Sequence, residues 1–116
     1  MLALSRFDVS EQAADGFVER ARPVLVALST RPGFLDGRLV RAVDDPSEWL
    51  LVTEWEGAGF YRRALLEPAV AVLAAELFAG ARDEPSAFEV LATVAPGGAE
   101  AIGRSDRNPR GTPGPR

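Results

Sequence analysis

The chain has 116 residues, 47% of them hydrophobic and 8% aromatic, with a formal charge of −4. That is an ordinary composition for one globular domain and excludes a body that is disordered throughout. Cysteine, histidine and lysine are all absent, which excludes disulfides, thiol nucleophiles, Cys/His zinc sites and lysine Schiff bases.

The charge is uneven: residues 1–92 hold 9 arginines against 15 acids, and residues 93–116 hold 4 against 2. An acidic body argues against a phosphate-backbone partner, so no nucleic acid is expected. The carboxylates show no clustered spacing that favours a metal, and none is expected. The opening Met1-Leu2-Ala3-Leu4-Ser5-Arg6 lacks the basic region and apolar core of a signal peptide. No segment approaches the roughly 20 apolar residues that span a bilayer. A cytoplasmic protein without a membrane partner is the expectation. Chains this short bury only about 60–68% of their unfolded surface, so a partner subunit would add stability.

Leu2 to Val9 reads as a strand, with Ala3, Ser5, Phe7 and Val9 on one face and Leu2, Leu4 and Arg6 on the other. Ser10 is placed to cap a helix whose stripe is Phe17, Ala21, Val24, Leu25 and Leu28. Pro23 lies inside that stripe and predicts a kink or restart near Ala21–Arg22. Pro32 and Gly33 end the helix. Phe34 to Val43 and Glu48 to Glu56 then form a hairpin turned at Asp45-Pro46-Ser47. The second of these strands carries Trp49, Leu51, Thr53 and Trp55 on one face and Leu50 and Val52 on the other. Apolar residues on both faces require cover on both, and helices supply only one.

Gly57-Ala58-Gly59 breaks the strand, Phe60 to Leu66 forms a short helix, and Pro68 opens another with the stripe Val70, Leu73, Leu77 and Phe78. A last strand is expected over Ser86 to Thr93. The order is β-α-β-β-α-β, a ferredoxin-like α+β unit with an antiparallel sheet and helices on one face. Residues 93–116 contain five glycines and four prolines among few apolar side chains. The expected organisation is therefore a domain over residues 1–93 and a disordered tail over 94–116.

Arg31-Pro32-Gly33-Phe34 enters the second strand, Asp44-Asp45-Pro46 turns it, and Thr53-Glu54-Trp55-Glu56 closes the third. With Phe60 and Ser86-Ala87-Phe88-Glu89-Val90, these runs resemble the antibiotic biosynthesis monooxygenase domain family over residues 2–92. The resemblance implies a dimeric α+β barrel in which sheets pair across a two-fold axis. A homodimer is therefore expected, and the two-faced third strand asks for the same cover. Enzymes of the family oxygenate aromatic, often polyketide, substrates without flavin, metal or haem, so no cofactor is implied. The substrate anion reduces dioxygen itself, while the protein supplies shape, exclusion of water and a few polar handles.

Trp55 and Tyr61 resemble the Trp/Tyr pair that lines the pocket of the family's quinone-forming enzyme; the plainer reading is a core Trp55 and a partly exposed helix residue at Tyr61. The asparagine that this enzyme places four residues before its tryptophan falls on Leu51. Haem-degrading relatives use an asparagine, a tryptophan and a histidine at positions that fall near Ser5, near Arg63 and around Val72–Leu73, and none is matched. Ser5 is a candidate pocket residue on the face of Phe7. Arg41 is placed to pair with Glu48 or Glu54 across the hairpin, and Arg38 is a candidate anchor for a phenolate. Two functions remain: a cofactor-independent monooxygenase for a bulky aromatic or polyketide-like molecule, or a non-catalytic dimer that binds a small apolar ligand or serves as an accessory subunit.

Overall fold

The computed structural model describes residues 1–84 and 86–103. Four strands and three helices make the body: β1 (Leu2–Asp8), α1 (Ala14–Ser29), β2 (Phe34–Arg41), β3 (Glu48–Trp55), α2 (Ala58–Leu66), α3 (Pro68–Phe78) and β4 (Ala87–Phe88). The sheet order is β2-β3-β1-β4, with every neighbouring pair antiparallel. This is the α+β, ferredoxin-like arrangement. The register sets Ala3 opposite Thr53, Ser5 opposite Leu51 and Phe7 opposite Trp49, so one sheet face collects the large apolar side chains.

The helices close over that face. Ser10 caps a short 3₁₀ turn by accepting the Ala13 amide at 3.3 Å, and α1 continues from it with Phe17, Ala21, Val24 and Leu28 buried. The restart expected at Pro23 does not occur: α1 runs unbroken to Ser29. Pro23 and Glu19, whose carbonyl loses its amide partner, are both exposed, so water can satisfy it. Phe7 and Phe17 (5.0 Å between centroids) and Phe17 and Trp49 (5.4 Å) knit α1 to the sheet. In α3 the buried stripe is Val70, Ala74 and Leu77, while Leu73 is 42% exposed. The period of 3.6 residues admits either residue, and packing selects the smaller alanine.

Two turns fix the hairpin. Gly33 adopts a φ of +87°, and a Cβ there would stand 2.3 Å from the Phe60 ring, so only glycine admits both the turn and the α2 contact. The Gly33 carbonyl accepts the Glu56 amide at 2.8 Å, tying the helix exit to the end of β3. At the other end, Asp45 Oδ1 accepts from the Ser47 amide (3.1 Å) and hydroxyl (2.7 Å), an Asx turn.

The last strand is shorter than predicted. Phe88 and Ala87 pair with Leu2 and Ala3, and continuing that register would set Asp83 opposite Phe7, yet Ala81 stands there, so two extra residues bulge between the contacts. An Asp-Glu-Pro run, whose proline has no amide hydrogen, cannot sustain the ladder. Beyond it, the predicted tail begins inside a second hairpin: β5 (Ala92–Val94) pairs with β6 (Glu100–Ile102). Its loop uses positive φ at Gly97 and Gly98, which is why a Pro/Gly-rich composition folds here rather than staying open. Residues 104–116 of the predicted tail lie outside the described residues.

Among the described residues, no helix covers the outer sheet face. Leu2, Leu4, Leu50 and Val52 are half-buried there, and Val40 and Phe88 are exposed. Among the described residues, no helix is long and apolar enough to cross a membrane.

Candidate functional site

The bulge after α3 has a consequence for β1. A cleft of about 230 Å³ opens between sheet and helices at this edge. β1 contributes Leu4, Ser5 and Arg6, and α2 contributes Tyr61 and Leu65. Phe78 closes the α3 side, and the bulged segment supplies Ala81, Arg82, Glu84 and Ser86. The inner wall is thus aromatic and aliphatic with two hydroxyls, while the mouth is charged.

Tyr61 is buried and lies 5.6 Å from Trp55 between ring centroids, tilted by 50°. Burial pushes its phenol above the usual 10.0, so it remains a neutral hydrogen-bond donor at ordinary pH. Trp55 is 1% exposed and packs edge-on against Phe34 at 5.2 Å. Its Nε1–H donates to Thr53 Oγ1 at 2.8 Å, so the indole is committed to the core and supports Tyr61 from behind. Of the predicted site residues, Ser5 and Tyr61 meet at the cleft, and Trp55 stands one layer back. Arg38 does not reach it. Its Cα partner is Val52 on the outer face, and its exposed side chain pairs with Asp36 at 3.1 Å. The alternation of the strand beyond the register shift at Phe34/Asp36 forces this separation, because Asp36, Arg38 and Val40 face away from the helices.

Arg41 also differs from expectation. Its guanidinium lies 5.3 Å from the Trp49 ring centroid instead of pairing with Glu48 or Glu54. Glu48 is already taken by Arg6 (3.3 Å) and Arg82 (3.4 Å). Arg82 holds Asp8 through two bonds of 3.1 and 2.6 Å, and Arg6 reaches Glu84 at 3.2 Å. The Arg82 hydrogen bond keeps the Asp8 carboxyl below the usual carboxylate value, and Asp8 in turn raises the Arg82 guanidinium. This network orders the mouth, pairing two arginines with three carboxylates. Sequence reasoning missed Arg82, Leu65 and Phe78, since nothing in their spacing announces which edge the chain will meet after α3. Arg6 was legible in part, as strand parity sets it on the outer face with Leu2 and Leu4.

Leu51 is 3% exposed and lies opposite Ser5 and Leu39 in the core. Among the described residues, no group of three or more carboxylates gathers closely enough to hold a metal ion. A second hollow, between α1 and α3, offers Pro23, Val26, Ala27 and Leu73 with only Glu19 and Arg22 as polar lining.

A model of the antibiotic biosynthesis monooxygenase family matches residues 1–71, from β1 into α3. The chain belongs to this family. Among solved structures, SnoaB, a cofactor-independent oxygenase from Streptomyces nogalater, superposes with a TM-score of 0.62 at 25% identity, over 72% of this chain and 84% of its own. A candidate antibiotic biosynthesis monooxygenase from Nitrosomonas europaea gives 0.61 at 14% identity over 88% of each chain. One from Deinococcus radiodurans gives 0.58 at 15% identity over 77% of this chain and 96% of its own. These last two speak for the fold. No curated protein matches the chain. As a member of the antibiotic biosynthesis monooxygenase family, the chain has its cleft between sheet and helices, with Tyr61 on the inner wall and Leu51 behind Ser5.

Proposed function

We propose that this family member is a cofactor-independent monooxygenase for an aromatic, polyketide-like substrate, bound at the cleft of Ser5 and Tyr61. The observation that carries the reading is Tyr61, a buried neutral phenol beside Leu65 and Phe78 on the inner wall of the cleft, backed by the core residue Trp55. The likeness to SnoaB, a cofactor-independent oxygenase, supports it. At about 230 Å³ the cleft exceeds the roughly 150 Å³ that admits benzene. It falls below the roughly 300–1,000 Å³ of drug-sized sites. One ring therefore seats inside, and a fused-ring molecule extends through the mouth beside Arg6 and Arg82.

In this reading an anthrone-type substrate loses a proton, and its anion gives electrons to dioxygen. One oxygen atom ends as the new carbonyl, and the other leaves as water with the two hydrogens of the oxidised carbon. Tyr61 donates a hydrogen bond to the substrate oxygen and steadies the anion. Leu65 and Phe78 exclude water. We further propose that the protein is a homodimer whose outer sheet faces pair, since no helix among the described residues covers Leu50 and Val52.

Incubation with anthrone-type substrates under oxygen tests the reading. Turnover is expected, with Tyr61→Phe lowering kcat by about tenfold or more through loss of one donor. Trp55→Ala is expected to lower it further by letting Tyr61 shift. Turnover equal to wild type in both variants rejects this site. A second reading, a non-catalytic binding dimer, is favoured by Leu51, which presents no amide to orient a substrate. Tight binding of the same molecules without oxygen uptake selects it.

A further inference from the structure

The helical layer is apolar on the side that faces away from the sheet. In its eleven residues α3 carries a single charged one, Glu76, and α1 carries none over residues 23–29. A surface helix keeps a polar outer face, whereas a helix that is apolar all round is a covered one. Yet Val72 is 75% exposed, Val26 65% and Leu73 42%. The hollow of Pro23, Val26, Ala27 and Leu73, about 490 Å³, lies on this face and shares no lining residue with the cleft of Tyr61.

The charges around the hollow point to its occupant. Glu19 and Arg22 line it, and Glu76 follows Leu73 by one turn of α3. All three are exposed, and none has an ion pair among the described residues. Arg6 and Arg82 at the cleft mouth, by contrast, are each held by two carboxylates. One arginine against two acids gives no hold on an anionic membrane or a nucleic acid, which call for clustered basic residues. Spare charges of both signs on one patch are what a two-fold contact uses, since the acids of each copy then meet the arginine of the other.

We propose that this face docks on the same face of a second copy, so that α1 and α3 of two chains stack as a four-helix layer with Val72 of each entering the hollow of the other. Burial of Val26, Val72 and Leu73 holds the contact, and Arg22 facing the other copy's acids sets its register. Far fewer residues take part than the roughly 20–30 a side of a standard interface, so the contact is weak and depends on concentration. It is independent of the sheet-face pairing proposed above. Where both form, dimers join into tetramers.

Sedimentation velocity from micromolar to millimolar chain concentration tests it. Wild type is expected to rise from two chain masses toward four, and Val52→Glu, which removes the sheet-face pairing, from one toward two. Leu73→Glu is expected to raise the Kd of this step about tenfold or more, with circular dichroism retained because the side chain is already exposed. Arg22→Glu in one copy, and Glu19→Arg with Glu76→Arg in another, are each expected to associate more weakly alone and to recover as mixed pairs when combined. A mass that stays constant up to millimolar concentration overturns the proposal, as does a Leu73→Glu variant that associates like wild type. Charge variants that associate alone as well as they do when mixed overturn the two-fold pairing of Arg22 with the acids. Wild type of one chain mass at micromolar concentration that still pairs through Leu73 removes the sheet-face dimer and leaves this contact standing.

Discussion

At the scale of single residues, burial moves the phenol of the cleft one way and hydrogen bonds move two exposed carboxyls the other. Tyr61 is the only tyrosine of the chain, and burial raises its phenol above 10.0. Its folded-state value thus lies above the unfolded one, so the stability it contributes is present below about pH 10 and fades as pH rises through the folded value. An absorbance titration of tyrosinate is expected to show an inflection above 10 in native protein and near 10 in denaturant. A native inflection at or below the denatured one contradicts a buried phenol. Asp8 behaves in the opposite sense. Its carboxyl is held below 3.8 by Arg82, and that of Asp45 by Ser47. The stability from both is present above that value and is lost as pH falls through the lowered folded values. Asp8→Asn is therefore expected to lower stability modestly at neutral pH and to converge on wild type as pH falls below about 4, which flattens the acid-unfolding profile read by tryptophan fluorescence.

At the scale of elements, the turn at Arg31–Phe34 carries more than its length suggests. It ends α1, starts β2, bonds the end of β3 and leaves room for Phe60 of α2. Gly33→Ala combines a positive φ with a clash against the base of the Phe60 side chain, and a loss of about 2–4 kcal/mol in denaturant unfolding is expected. A loss under about 1 kcal/mol would mean that Phe60 moves aside freely. The same scale separates what was legible from what was not. The Phe17–Leu28 stripe and the alternation of Trp49, Leu51, Thr53 and Trp55 are local periodicities, so their buried faces could be read directly. Leu73 and Ala74 satisfy the helix period equally well, and only packing chose between them. Pro23 carries a local rule that an exposed helix face relaxes.

At the scale of the whole molecule, the sheet has one face covered and one bare. Light scattering at micromolar concentration is expected to give twice the chain mass of 12.4 kDa. Val52→Glu is expected to shift the protein to monomer by placing a charge in the unhelixed face. A wild-type monomer refutes the pairing, and a Val52→Glu dimer of unchanged affinity moves it off this face.

The candidate site divides along the same line. By itself the sequence determined the element order and the inward faces, because each follows from near-neighbour spacing or from strand parity; parity set Ser5 on the inner face, and only the family resemblance pointed to Tyr61. It could not place Arg82 beside Asp8, separated by 74 positions, nor retire Arg38 to an ion pair on the far side of the sheet. It also could not show that β4 would shrink to two residues and leave the cleft beside it. Those outcomes belong to the tertiary structure, since they depend on where a bulged edge meets β1 and on which carboxylates reach each arginine first. Such choices are made between distant segments after the chain has closed.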